Sequence, residues 1–438
     1  METWRGAMRI SLISNLRYLI FDQNPTSNIR NPKSEIPKYP AMRSILTRTV
    51  LLVSFVSFFT DIASEMLYPV MPVYLRSIGF SILLIGILEG VAEATAGLSK
   101  GYFGNYSDKL GSRVPFVRWG YALSAFAKPL MVLFIWPVWV FFVRTLDRLG
   151  KGIRTGARDA MLSDETSKEN KGKVFGFHRA LDTAGAALGP FGALVFLYFY
   201  PQEYFWLFII AVIPGILAIA LTFLLKEKIQ SSVGKKSPGF FSFLAYWKHS
   251  SKQYKLLVAG LLAFTILNSS DAFLLLAVKS KGFSDTYMIG FYIFYNFIYA
   301  LLSFPIGILA DKFGLARTLI VGFFVFAIVY SLMGFALVSW HFIILFGLYA
   351  IYAASTEGIS KALISNLAQK NQTATAIGFY TSFASICTML ASSLAGLIWF
   401  AFGMKMMFMI SGIGVMVVAV YLSTVQIFLR PKNNLGNI

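Results

Sequence analysis

Cysteine is almost missing from these 438 residues: Cys387 stands alone, so no disulfide and no thiolate metal cluster can form within one chain. Histidine is nearly as scarce, and His178, His249 and His341 are not spaced like zinc ligands. Charge is thin too, at 13% of the chain, where soluble proteins carry about 25%. No G-x-x-x-x-G-K-[ST] phosphate loop occurs, which argues against ATP-driven work. A membrane enzyme would need a nucleophile beside a base, or a metal cluster, and the sequence offers neither pattern. No catalytic residue, metal site or cofactor is therefore expected.

What is abundant is apolar surface. Hydrophobic residues make up 57% and aromatic residues 16%, and mean hydropathy is +0.66. Apolar runs near twenty residues recur along the chain, the length that crosses about 30 Å of hydrocarbon as a helix. One soluble domain is excluded. The runs lie near 47–76, 81–103, 115–135, 137–162, 174–198 and 204–225, then 254–279, 286–310, 317–337, 340–366, 374–400 and 405–429. The prediction is an all-α membrane protein with twelve transmembrane helices in two six-helix bundles, residues 42–226 and 254–430. A cytoplasmic linker, 227–253, joins them and a cytoplasmic tail, 431–438, follows. Residues 1–41 read as a weakly ordered cytoplasmic extension or an upstream start, with Met42 the alternative beginning.

The formal net charge of +19 does not point to nucleic acid, because the bases sit in short breaks between apolar runs rather than on one face. One alternating set of breaks is rich in them: the N-terminus, Lys109 and Arg113, Lys168 to Lys173, the linker with Lys235 and Lys236, Lys312 and Arg317, Lys370, and Arg430 with Lys432. The other set holds Arg76, Lys279, Lys281 and Lys405. Positive charge is retained on the cytoplasmic side, so both termini are expected there, in a multi-pass protein of a prokaryotic inner membrane. Partners are then a small-molecule or ion substrate, protons and lipids, and a monomer is expected.

The halves repeat. Gly104-Asn-Tyr-Ser-Asp108-Lys109-Leu-Gly111-Ser-Arg113 returns as Gly307-Ile-Leu-Ala-Asp311-Lys312-Phe-Gly314-Leu-Ala-Arg317, 203 residues on, and Gly79 and Gly282 are separated by the same interval. A fixed offset means a duplicated bundle. At these residues the chain resembles the major facilitator superfamily, whose turn between helices 2 and 3 reads G-x-x-x-D-[RK]-x-G-[RK]-[RK]; Ser112 departs from it. The fifth run resembles that family's G-x8-G-x3-G-P-x2-G at Gly176, Gly185, Gly189 and Pro190, with Ala193 for the last glycine, a pattern that in the family leans toward proton-coupled export. In the fourth run Arg144 and the glycines approximate R-x-x-Q-G-x-G, with Asp147 and Arg148 in place of Gln-Gly. The resemblance implies alternating access, with little-characterised prokaryotic permeases as the likeness in texture, and supplies no substrate. It implies a cytoplasmic gate in which Asp108 caps a neighbouring helix and Arg113 meets Asp159 or Asp164.

Ionisable groups inside spans cost about 2.5 to 3.5 kcal/mol each, so those that persist usually face a partner or a wet cavity. Asp61 and Glu65 lie at i, i+4 on the first run, as do Glu89 and Glu93 on the second, which puts each pair on one face about 6 Å apart. Asp147, Lys151, Arg154 and Arg158 form a stripe on the fourth run, and His178, Arg179 and Asp182 follow on the fifth. Asp61 and Glu65 are the first candidates for proton coupling, then Glu89 and Glu93, with Asp182 and His178 beside them; a lone histidine is otherwise hydrogen-bonded structure. Arg154 or Arg148 is the candidate contact for an anionic or zwitterionic cargo, since arginine holds oxyanions in two places at once. The cavity is expected to include Asp147, Arg158 and Arg179 with Asn268, Asp271, Tyr295, Asn296 and Glu357. The repeat offset sets Glu357 opposite Arg154 and Lys361 opposite Arg158. Proton-coupled antiport is the expected activity, with symport import of a polar or anionic metabolite, or a non-transporting sensor or scramblase, as alternatives; cargo-dependent flux through the first-run carboxylates separates them.

Overall fold

The structure, a computed structural model, describes residues 46–429 apart from 69, 229–236 and 370. The expected N-terminal extension and C-terminal tail, with Lys235, Lys236, Lys370, Arg430 and Lys432, lie outside the described residues.

Twelve helical segments follow in order. They are α1 (Arg48–Leu67, continued by the short Met71–Ser77), α2 (Ile82–Leu110), α3 (Val114–Leu130), α4 (Pro137–Asp164), α5 (Lys171–Phe199) and α6 (Tyr204–Thr222). A short linker helix, Ala245–His249, precedes α7 (Lys252–Ser280), α8 (Asp285–Phe313), α9 (Leu315–Met333), α10 (Ser339–Leu367), α11 (Thr373–Phe402) and α12 (Met404–Leu429). Among the described residues nine of these are long and apolar enough to cross a membrane. The helix α4 is not, because its polar stripe runs along most of it; α3, at 17 residues, is short. Hydroxyls start several helices: Thr47, Ser81 and Ser251 each accept from the backbone N–H three residues on.

The repeat is visible in the backbone. Gly79 and Gly282 turn at φ 93° and 85°, and Gly111 and Gly314 at φ 64° and 104°, conformations that glycine adopts at no steric cost. All four sit at the 203-residue spacing read from the sequence.

In the first six helices α1 packs on α5 and α4 on both α2 and α3; in the second six, α10 packs on α8 and α9, and α12 on α9. The two sets meet along two seams, α2 with α11 and α5 with α8. At the end carrying the repeated turns these seams are tight. A side chain on Gly104 would collide with the backbone of Ala374, and one on Gly176 would come 2.6 Å from Ser303 O. Toward the opposite end the seams part. Leu194 and Tyr198 of α5 stand off Met288 and Tyr292 of α8 across a cleft of ≈ 770 Å³. A second cavity of ≈ 640 Å³ lies between α2, α4, α7, α10 and α11. The molecule is closed at the motif end and open at the other.

The interiors of the two sets differ. Rings fill the second, where Phe264 stacks on Phe323 at 4.1 Å and Phe326 on Tyr330 at 4.0 Å. Ions run through the first.

Candidate functional site

Each motif aspartate caps a helix of the other set. Asp108 accepts from the Thr375 N–H and hydroxyl, both at 2.6 Å, and from the Ala374 N–H at 3.4 Å, at the start of α11. Asp311 accepts from the Gly172 and Lys173 N–H groups at 2.8 and 2.9 Å, at the start of α5. A carboxylate at a helix N-terminus satisfies orphan donors and complements the helix dipole. Arg113 stays in its own turn, 2.5 Å from Asp108 and 3.8 Å from Asp164. Of the two partners left open by the sequence, Asp159 is elsewhere: it is fully buried between Arg158, 2.9 Å away, and Lys361, 2.8 Å away. Lys109 lines a separate pocket beside Asp108, while Lys312 and Arg317 are exposed.

Above this lock the ions form two groups. In the first, Glu89 takes a two-pronged bond from Arg144 at 2.8 and 3.0 Å; Arg144 also reaches Asp147 at 3.5 Å, and Lys128 stands 3.8 Å from that same acid. In the second, Arg179 bonds Asp182 at 2.6 Å and pairs with Glu357 of α10; Arg158 lies 3.9 Å from Asp182 and donates to Ser57 at 3.2 Å. Asp61 of α1 packs against Gly185 of α5, one turn from Asp182. Glu65, Glu93 and Arg148 make no ion pair among the described residues, and both Glu93 and Arg148 line the ≈ 640 Å³ cavity. His178 is 4% exposed, and among the described residues neither ring nitrogen has a hydrogen-bond partner, so it is not the hydrogen-bonded histidine expected.

The predicted Arg154–Glu357 opposition is not formed. Gly120 and Gly150 let α3 and α4 approach closely, and Arg154 is drawn under α3, where it donates to Ser124 at 2.7 Å and lies 4.4 Å over the Tyr121 ring. Glu357 takes Arg179 instead, and Lys361 takes Asp159 rather than facing Arg158 alone. Arg148 is thus the arginine that lines the cavity. In the second set α7 breaks between Leu267 and Ala272 beside that space. Asn268 donates to Tyr352 at 3.1 Å, and Asp271 accepts from Tyr349 at 2.7 Å. Tyr295 packs on Tyr349, and Asn296 donates to the Tyr292 carbonyl at 3.0 Å, so both are occupied by structure.

The glycine motif of α5 divides between two neighbours. Gly176 faces α8 across the seam, whereas Gly189 would place a side chain 2.7 Å from Ile62 O and Met66 N of α1, inside the first set; Gly185 does the same at Phe58. Pro190 lines the open cleft. Lys100, Lys128 and Thr375 were not singled out by the sequence reading. Lys100 is the lone cation of its predicted span, 81–103, and Lys128 shares 115–135 with Arg118 alone, which was the available signal.

The family model of the Major Facilitator Superfamily matches residues 53–298 and 292–437. The chain belongs to the major facilitator superfamily. An uncharacterised MFS-type transporter of Methanocaldococcus jannaschii is 34% identical over 360 residues, 81% of this chain and 89% of that one. Among solved structures, the human organic anion transporter MFSD10 superposes with a TM-score of 0.70 at 15% identity, over 87% of this chain and all of that one. The Escherichia coli fucose:proton symporter FucP superposes at 0.69 and 14%, over 86% and 98%. Those two likenesses establish the fold. The protein is a multi-pass membrane protein and a secondary transporter of a small molecule.

Proposed function

We propose that transport is driven by protons carried at the Asp61–Asp182 pair, and that the protein is an antiporter exporting its cargo. The observation that carries this is the close approach of α1 to α5 that Gly185 allows at Asp61, one turn from Asp182. Asp182 also holds Arg179, and Arg179 holds Glu357 in the opposite set. Separating the sets at the motif end removes Glu357 from Arg179, so the charge facing the Asp61–Asp182 pair changes with the conformation. A proton bound in one state is then released in the other, which is the requirement for coupling.

Direction rests on two supports. The closed end carries Lys109, Arg113, Lys168, Lys171, Lys173, Lys312 and Arg317, and the open end Arg76, Lys279, Lys281 and Lys405; retention of positive charge assigns the closed end to the cytoplasm. The α5 glycine pattern resembles that of proton-coupled exporters. Residues 42–226 and 254–430 rock as two bundles about the linker, and one chain holds the whole cavity.

The test is proton movement in proteoliposomes containing a pH dye, with an imposed pH gradient and candidate solutes added outside. A solute that discharges the gradient in wild type is expected to fail in Asp61→Asn and Asp182→Asn, by at least about ten-fold. Unchanged proton movement in both variants would remove the pair from coupling.

A further inference from the structure

We infer that the floor of the central cavity is an oxyanion site, formed by Lys100 and Arg148, and that the cargo is a small organic acid or phosphate ester. This rests on the transporter reading above and adds the chemistry of what is carried.

Lys100 lies on α2, one turn before Gly104, and is 9% exposed. Its ammonium donates to the Ser385 hydroxyl of α11 at 2.9 Å. A hydroxyl is neutral, so a cation withdrawn from water has no counter-ion in contact, and burial of that kind is costly until an anion arrives. The charges acting most strongly on it are Glu93, Lys151, Lys361 and Arg148, a single acid among three further bases. Lys361 is already answered by Asp159. Arg148 makes no ion pair among the described residues and its Nε is buried without a partner, with Asp147, Glu93, Glu89 and Glu65 acting on it only from beyond contact.

The same cavity takes in Glu89 and Glu357, each spent on its own arginine. What the second set leaves free toward the cavity is neutral, with Thr265, Asn268 and Tyr352 on its wall. A cationic cargo would therefore meet one unpaired acid, Glu93, against Lys100 and Arg148. An uncharged sugar would leave Lys100 and Arg148 without a counter-ion in contact. A carboxylate or phosphate meets a planar guanidinium and a point ammonium on one surface, an arrangement suited to an oxyanion. The cavity volume of ≈ 640 Å³ lies in the range of small-molecule sites.

The site also touches the seam. An anion that draws the Lys100 ammonium toward the cavity takes it from Ser385, about three turns along α11 from Ala374, and so removes one contact across the α2–α11 seam.

The probes are radiolabelled succinate, citrate and glycerol 3-phosphate, with tetraphenylphosphonium and fucose as controls, in equilibrium dialysis against detergent-purified protein. At least one acid is expected to bind wild type, and Lys100→Met and Arg148→Met to weaken it by at least about ten-fold, the scale of a charge-assisted hydrogen bond. Lys100→Arg is expected to retain binding, and Ser385→Ala, which keeps the charge and removes its only hydroxyl partner, to bind at least as tightly as wild type. Those two variants separate a lost ligand from a damaged fold. Binding of none of the three acids, or equal binding by wild type and the Met variants, overturns the inference. Dialysis uses no gradient, so anion binding that persists in Asp61→Asn while proton movement is lost leaves the two readings independently judged.

Discussion

Two residues show how much rests on single atoms. Thr375 gives Asp108 two of its three bonds across the α2–α11 seam, one from the backbone and one from the hydroxyl. Thr375→Val removes the second alone. Losing a hydrogen bond to a charged group costs about 1.5 to 3 kcal/mol, about ten-fold or more in a two-state equilibrium. The population is expected to move toward the state open at the motif end, read as a longer distance between spin labels at Lys109 and Gln369 with Cys387 replaced by Ser. No change in that distance distribution would mean the hydroxyl is not part of the lock. His178 makes the opposite case. With both nitrogens buried and unpartnered, it costs stability in this conformation, since an unsatisfied buried polar group is worth about 1 to 3 kcal/mol. His178→Phe is expected to leave the thermal midpoint unchanged or higher. A lowered midpoint would show that the imidazole has a stabilising partner.

The helices themselves carry the next level of meaning, and α5 is the instructive one. Its glycines look like one motif in the sequence, yet Gly185 and Gly189 bed into α1 while Gly176 meets Ser303 and Gly307 of α8. The first contact lies inside one six-helix set and persists through rocking. The second crosses a seam that must open. Gly185→Leu is expected to lower the thermal midpoint through overpacking of about 1 to 3 kcal/mol. Gly176→Leu should leave the midpoint nearly unchanged but hold the motif end open, in the same spin-label measurement. Equal effects of the two on stability would mean that both contacts are structural. Span positions, the turn glycines and the i, i+4 acids were legible before any coordinates, because helix length and periodicity are local properties of the chain. The direction each side chain takes around its helix was not. Arg154 went under α3 because Gly120 and Gly150 permit a close crossing, and that depends on two helices at once. Lys100 escaped notice because one lysine in an apolar run shows no pattern until α11 is placed beside it.

For the whole molecule, the division of labour between a charged first set and an aromatic second set places proton and ion chemistry on one side of the cavity and a stiff wall on the other. The linker adds an asymmetry. Asn105 of α2 donates to Ser242 at 2.7 Å, Phe243 is buried against Gly101 and Phe379, and Trp247 stacks on Phe379 of α11 at 5.6 Å. The linker thus bridges the α2–α11 seam, and among the described residues no equivalent strap crosses α5–α8. Phe243→Ala is expected to slacken only the strapped seam, so the Lys109–Gln369 distance should broaden while a pair at Lys173 and Lys312 stays as in wild type. Broadening at both seams would show that the sets move as rigid bodies about the linker contact.

The two locks at the motif end are one contact made twice: 203 residues separate Asp108 from Asp311, and the same number separates Gly172 from Thr375. Each set lends an acid to the other and takes one back, which is the reciprocity of a two-fold dimer. A single six-helix chain bearing this acid and this helix start would close the lock with a copy of itself. By this symmetry the halves, made as separate polypeptides, are expected to pair, and failure to co-purify would show that the covalent link is required.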